Sequence, residues 1–331
     1  MTSQISKRSH DILCELGLIQ HGQDIITTPL TGGVASDIAH IRTDNAEYCV
    51  KFALPKLKVE ADWFAPTHRN LAEYAWLRCA AAQNPEMAVT LYGQSHKYHG
   101  FVMEFLSGED VYLWKKALLN GTDKGEEAGL VGDALGRIHA ASSRPDFDRQ
   151  DFINHDDFQA LRIEPYLLYT AQHHPDLAKI LRELSADLYK ADTVLIHGDV
   201  SPKNIFLRRQ GAVILDAECA TMGDACFDIA FCLNHLVLKS CHLPAYQERY
   251  LGYLQQFWDS YIPHICWEEP LELQRRTLKL LPALMLARID GKSPVEYLED
   301  ETRNHVRQLS RQLLHHPAHD FNSFISILKP Y

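Results

Sequence analysis

The order of apolar and polar positions divides this chain into a strand-rich beginning and a mainly helical remainder. Ile5, Ile12, Leu13, Leu16 and Ile19 recur at loosely helical spacing, which predicts a short amphipathic helix leading into a sheet. Strand-forming residues from Thr27 to Ile41 surround Gly32, Gly33 and Val34, the pattern of a hairpin turning on glycine. Tyr48 to Ala53 reads as a strand carrying one lysine, Lys51. After an irregular segment, Asn70 to Ala82 places Leu71, Tyr74, Ala75, Leu77 and Ala81 on one side of a helix that also carries Glu73. Phe101 to Gly108 reads as a last strand running into a linker. Later, Leu130, Val131, Ala134, Leu135 and Ile138 mark a helix, and residues 144–160 are polar without a clear period, which predicts a surface loop before a helix at about 176–189. Three short strand-like runs follow, Val194 to Ile196, Ile205 to Leu207 and Ala212 to Leu215, and the chain turns helical beyond Ala230. The expected organisation is α+β, with one unit over residues 1–106 and a second over 107–331.

The three short strands frame His197-Gly198-Asp199-Val200-Ser201-Pro202-Lys203-Asn204, and the third delivers Asp216 and Glu218 just past its end. A lone Asp or Asn there would simply cap a turn. The ordered set is different, because phosphoryl transfer needs a carboxylate to orient a hydroxyl and accept its proton, and oxygen ligands for magnesium across the phosphates. His-x-Asp-x4-Asn followed by Asp is the kinase pattern. The loop nevertheless has Gly198 where protein kinases place Arg, Asp216-Ala217-Glu218 where they place Asp-Phe-Gly, and no Ala-Pro-Glu afterwards.

With those departures the chain resembles the aminoglycoside phosphotransferase and choline kinase superfamily of small-molecule kinases, over roughly Leu30 to Leu298. The resemblance implies a two-lobed protein-kinase-like fold, with a small β-rich N-terminal lobe and a large mainly helical C-terminal lobe. It implies ATP and Mg2+ as cofactors and a small-molecule hydroxyl as acceptor. Asp199 is then the catalytic base, Asn204 and Asp216 hold the metal, and Glu218 adds a second-metal contact. Asp228 matches the aspartate that braces the catalytic loop through backbone hydrogen bonds, and His139 lies in a stretch resembling a large-lobe helix, where it reads as packed.

The same resemblance gives meaning to weaker signals upstream. Gly32, Gly33 and Val34 form the hairpin over the nucleotide phosphates, and Lys51 reaches those phosphates, steadied by Glu73, with Glu60 as the competing partner. By position, backbone groups of Glu104, Phe105 and Leu106 meet the adenine. Lys51-Phe52-Ala53-Leu54-Pro55, Val59, Glu60, Trp63, Pro66 and the Arg69 to Leu77 helix look like methylthioribose kinases, as does Asp216-x-Glu218. Asn204 departs from them, since they place serine in the catalytic loop and aminoglycoside phosphotransferases place asparagine. Arg275 and Arg276 resemble a paired arginine beside the sugar in methylthioribose kinases, and also fit a solvated helix face. Arg288 points into the site or caps its own helix.

Composition narrows the remaining choices. At 331 residues the chain accommodates two lobes, and its formal net charge of −10 argues against nucleic acid as a partner. No apolar run is long enough to span a bilayer, and the first residues lack a secretory apolar segment, so a cytoplasmic enzyme without membrane contact is expected. The eight cysteines contain no Cys-x-x-Cys pair and read as reduced. The resemblance to methylthioribose kinases, not composition, ranks sugar-like acceptors first, with choline, ethanolamine or aminoglycosides as alternatives. The rival of another class is an idle nucleotide-binding regulatory protein, which the retention of Asp199, Asn204, Asp216 and Lys51 disfavours.

Overall fold

Six of the seven residues of the strand Glu47–Ala53 are buried, so it is covered on both faces. It lies at the centre of a five-stranded antiparallel sheet. The structure, a computed structural model, describes residues 2–31, 36–56, 67, 69–209 and 211–329; Gly32, Gly33, Val34 and Glu60 lie outside the described residues. The chain divides into two compact units, Met1–Val111 and Tyr112–Tyr331. This division and the one expected after Leu106 both fall in the segment that follows the last strand of the sheet.

The first unit contains α1 (Thr2–Glu15), β1 (Ile26–Leu30), β2 (Ser36–Arg42), β3 (Glu47–Ala53), α2 (Arg69–Gln83), β4 (Leu91–Ser95) and β5 (Gly100–Glu104), with strand order β1-β2-β3-β5-β4. Side-chain alternation along β3 assigns its two faces. Tyr48, Val50 and Phe52 join Ala39 and Ile41 of β2 and Ile5, Ile12 and Leu13 of α1 in one apolar cluster. Cys49 and Lys51 therefore point to the opposite face, and α2 packs against β3, β4 and β5. The helix expected over Asn70 to Ala82 is present with one residue more at each end.

In the second unit the elements are β6 (Tyr112–Leu113), α3 (Trp114–Asn120), α4 (Glu127–Ser142), α5 (His155–Phe158), a π-helix (Gln159–Leu168), α6 (Tyr169–His173), α7 (Ala178–Lys190), β7 (Val194–Ile196), β8 (Ile205–Arg208), β9 (Gly211–Ile214), β10 (Thr221–Gly223), α8 (Ala225–His242), α9 (Gln247–Tyr261), α10 (Pro270–Asp290), α11 (Asp300–His315) and α12 (Phe321–Leu328). Strands β6, β8 and β9 form one antiparallel sheet, and β7 pairs with β10 in another. Helix α8 is buried from Ala225 to Ser240 and packs against α9, α10 and α11, which makes it the axis of the unit. Helix α4 packs against β7 and β9 from the other direction and thereby underlies the loop between β7 and β8.

The loop expected over residues 144–160 is a correction. The structure places a short 3-10 turn at Gln150–Phe152, α5 at His155–Phe158 and the start of the π-helix there. Pro165 explains why no regular period shows through Leu168: it offers no N–H to the carbonyl of Leu161, and its ring crowds that carbonyl, so the turn widens. The released Leu161 carbonyl accepts a hydrogen bond from the Arg162 guanidinium at 2.8 Å. Among the described residues no helix is long and apolar enough to cross a membrane, and all eight cysteines are free of disulfides.

Candidate active site

The loop after β7 turns sharply at Gly198, whose φ of +77° lies in the left-handed region. A side chain there would also place its Cβ 2.9 Å from that of Cys219. Asp228, fully buried near the start of α8, holds this turn by accepting the backbone N–H of His197 at 2.6 Å and of Gly198 at 2.9 Å. Its position is fixed in turn by His139, whose ring lies 3.4 Å from Asp228 and 2.6 Å from the Tyr261 hydroxyl.

His197 completes the turn from within. Its Nδ1 accepts the backbone N–H of Asp199 at 3.1 Å, so its Nε2 carries the proton and donates to the Leu215 carbonyl at 3.1 Å. Burial pushes this imidazole below its ordinary range against the pull of Asp228, which agrees with that neutral tautomer. His197 thus ties the loop to the segment that ends in Asp216 and has no free nitrogen for catalysis.

Asp199 is 5 % exposed, and two cations meet the same oxygen of its carboxylate: Arg162 at 3.1 Å and Lys203 at 3.1 Å from Oδ2. Burial works to raise this carboxyl, yet Lys203 and then Arg162 outweigh it and hold Asp199 below its ordinary value. Neither of these closest approaches is to Oδ1. Arg162 also donates to the Gly198 carbonyl, so one guanidinium clamps both the turn and the carboxylate. No periodic signal marks Arg162 in the sequence, because it arrives from the π-helix; Lys203 stood within the motif with no role attached.

The polar groups beyond Asp199 are arranged by backbone bonds. Ser201 N–H donates to the Asp199 carbonyl at 2.8 Å and the Asn204 side-chain amide donates to the same carbonyl at 3.1 Å, which leaves Asn204 Oδ1 as the outward end of that amide. Leu215 N–H donates to the Asn204 carbonyl at 2.8 Å, so the loop and the end of β9 are stitched together. Asp216 adopts φ of +72°, an unusual conformation for a non-glycine residue, immediately beyond that stitch. A carboxylate oxygen of Asp216 and one of Glu218 lie within 4.8 Å of each other, and Asp216 acts on Asp199 as a like charge. Two carboxylates and an amide oxygen are hard donors, the chemistry that holds a divalent cation through oxygen.

In the first unit, Lys51 Nζ lies 2.6 Å from Glu73, with 3 % and 1 % of the two side chains exposed. A lysine buried this deeply on a central strand is not a solvated edge residue, and Glu73 offsets part of its desolvation. Glu104 ends β5 with its backbone N–H donated to the Thr90 carbonyl at 2.8 Å, and the Phe105 ring stacks on His40 at 3.6 Å between centroids. Leu106 follows in irregular backbone. Of the arginines noted near the C-terminus, Arg275 is exposed and pairs with Glu272, while Arg276 pairs with Asp224 at 2.7 Å and Glu268 at 2.7 Å. Asp224 caps the N-terminus of α8, so Arg276 buttresses that cap. Arg288 donates to Ser293 Oγ at 2.9 Å and lies 3.5 Å from the Tyr166 hydroxyl.

The profile of the phosphotransferase enzyme family (APH) matches residues 26–264, and the chain belongs to that family. Among curated proteins it is similar to methylthioribose kinase of Erwinia tasmaniensis, 27% identical over 238 residues that cover 61% of this chain and 54% of the relative. The methylthioribose kinase of Bacillus cereus is 25% identical over 256 residues, covering 68% of this chain and 64% of the relative. The chain therefore spans little more than half to under two thirds of the length of these relatives. In fold it resembles an ethanolamine kinase of Plasmodium vivax, with TM-score 0.57, 12% identity and coverage of 91% of this chain and 86% of that one. It also resembles an amicoumacin kinase, with TM-score 0.57, 14% identity and coverage of 98% and 100%. These likenesses, with the sheet of the first unit and the helices of the second, establish the two-lobed α+β fold.

The Asp228 contacts generate a stability prediction. Replacing Asp228 with Ala strips a charge-assisted acceptor from two buried N–H groups and is expected to cost about 3 kcal/mol or more. Urea unfolding checks it, and a loss under about 1 kcal/mol would show that the loop holds its turn without this brace.

Proposed function

We propose that this chain is an ATP-dependent phosphotransferase that phosphorylates a hydroxyl of a small molecule. Membership of the phosphotransferase family supports the reaction class. The observation that carries the reading is Asp199, a buried carboxylate on a braced turn with two cations each 3.1 Å from its Oδ2. Nothing in that arrangement is needed to stabilise a fold, since burying the Asp199 carboxylate and the Arg162 guanidinium costs free energy that apolar residues would not, while Lys203 stays half exposed.

In this reading Asp199 Oδ1 accepts the hydrogen bond of the acceptor hydroxyl and aims its oxygen at the terminal phosphorus. The new bond joins the acceptor oxygen to phosphorus, the bond from phosphorus to the bridging oxygen of ATP breaks, and the hydroxyl proton passes to Asp199 before leaving to water. A carboxylate held below its ordinary value is a weak base, which suits a loose transfer in which the proton departs late and positioning dominates. Arg162 and Lys203 keep Asp199 ionised while nucleotide phosphates bring further negative charge. Magnesium, when bound, neutralises phosphate charge, and Asn204, Asp216 and Glu218 are the residues that would hold it. Lys51, fixed by Glu73, serves the nucleotide phosphates, with Gly32, Gly33 and Val34 assigned to the same task and Glu104 to Leu106 to the adenine. The similarity to methylthioribose kinases favours a sugar-like acceptor, with choline, ethanolamine or aminoglycosides as alternatives. The chain is read as cytoplasmic, and its net charge of −10 speaks against nucleic acid as a substrate.

Replacing Asp199 with Asn is expected to lower kcat by at least about a thousandfold while the affinity for ATP stays within about threefold. ADP release assays and nucleotide titration measure the two, and near-normal turnover in the variant would remove Asp199 from this role. Replacing Arg162 with Met takes a cation from Asp199, so its pKa rises towards the ordinary value. The ionised form is then lost at higher pH, and the acid limb of kcat should move upward. An unchanged pH profile with lowered kcat would mean that Arg162 only supports the fold.

A further inference from the structure

Tyr166, on the π-helix, links Asp199 to a second group of cations in the same unit. It acts electrostatically on both Arg162 and Lys203, the partners of Asp199. Its hydroxyl lies 3.5 Å from Arg288, whose guanidinium sits 6.0 Å from the Tyr166 ring centre. The Tyr166 ring also packs 5.4 Å from that of Phe231, and Phe231 packs 5.5 Å from His235. One turn further along α8 is Lys239, only 2 % exposed.

Lys239 is poorly compensated where it stands. Its ammonium has one long contact, 3.5 Å to the His235 carbonyl of its own helix, and lies 5.4 Å from the Tyr297 ring centre. A cation over an aromatic ring recovers about 0.5–2 kcal/mol, whereas burying an ion costs several. Burial first, then the like charges of Lys115 and Arg288, push Lys239 down to about 7, and among the described residues no carboxylate stands among the groups acting on it. His235 is likewise pushed well down, by burial and then by Lys239, Arg288, Lys203 and Lys115. Glu299 acts on His242, whose ring is 4.9 Å from that of Tyr297 at the outer end of the group. Arg288 Nε and the Tyr297 hydroxyl are buried without a hydrogen-bond partner among the described residues. A weakly held buried lysine, and a guanidinium nitrogen and a hydroxyl without hydrogen-bond partners among the described residues, thus form one group linked through Tyr166 to the cations of Asp199, in a chain whose overall charge is negative.

We propose that this group is an oxyanion subsite: the acceptor is a small hydroxyl compound that also bears a carboxylate or phosphate, held by Arg288 and Lys239 with Tyr297, while its hydroxyl meets Asp199. The proposal rests on the kinase reading above and deepens it by naming the charge class of the acceptor. An anion there supplies the counter-charge that Lys239 lacks and accepts the orphaned donors of Arg288 and Tyr297. It disfavours cationic acceptors such as choline and aminoglycosides, which would add like charge to a cationic wall. Arg275 and Arg276 are not part of the subsite, being held by Glu272, Asp224 and Glu268.

The test is calorimetric titration of the full chain, with magnesium and a non-hydrolysable ATP analogue present, using ribose, ribonate, ribose 5-phosphate and choline. The expected result is that ribonate or ribose 5-phosphate binds at least tenfold more tightly than ribose or choline, and the comparison of the two anions separates carboxylate from phosphate recognition. Arg288→Ala and Lys239→Met should each weaken the anion at least tenfold while leaving affinity for the ATP analogue unchanged. Lys239→Met, which replaces a buried charge by an apolar side chain of similar length, should keep or raise Tm, so lost binding cannot be ascribed to unfolding. Absence of an anion preference overturns the proposal, whether ribose or choline binds as tightly or nothing binds, as do variants that bind the anion like the wild type. ATP turnover is followed separately. Turnover of a neutral or cationic acceptor with no anion preference keeps the kinase reading and rejects the subsite, whereas anion binding without turnover of any acceptor rejects the kinase reading alone.

Discussion

The two hydrogen bonds from the His197 and Gly198 backbone to Asp228 are the interaction on which the site depends. A buried carboxylate is costly unless it is fully used, and Asp228 is used by the loop N–H groups and the His139 ring. The bonds fix a glycine in a left-handed turn, which sets the direction in which Asp199 leaves the backbone. The Asp199 carbonyl then accepts from Ser201 and Asn204, and the Asn204 carbonyl fixes Leu215, one residue before Asp216. A single anchoring point on α8, the most buried helix of the unit, thus propagates through short bonds to the carboxylates proposed for catalysis and metal.

Charge is handled differently at the two ends of this network. At Asp199, two cations approach closest to the same carboxylate oxygen and hold the group ionised. At Lys239, cations gather with no carboxylate among the described residues acting on it, the imbalance on which the proposed anion subsite rests. The first unit follows the same logic on a smaller scale, since Lys51 is buried on a central strand and answered by Glu73 on the helix that covers that face.

What the sequence disclosed and what it withheld follow from how local each signal is. The loop from His197 to Asn204 with Asp216 and Glu218 was legible because residue types, order and spacing lie in one short stretch. Strands β7, β8 and β9 and helix α2 were legible from periodicity. Arg162 was not, because the wide turns around Pro165 follow no helical or strand period and its partner lies in a distant loop. Lys239 was also hidden: in a mostly apolar helix one lysine reads as an interruption, and only packing reveals that no acid among the described residues acts on it. The pairings of Arg276 with Asp224 and Glu268 depend on tertiary contacts that two adjacent arginines do not announce.

The most direct measurement is phosphorus NMR of the purified chain with ATP, magnesium and a mixed pool of hydroxyl metabolites, alongside the Asp199→Asn variant. The account predicts a new phosphomonoester resonance growing with ADP in the wild type and absent from the variant. Formation of ADP and inorganic phosphate alone, or the same phosphomonoester signal from both proteins, would contradict it.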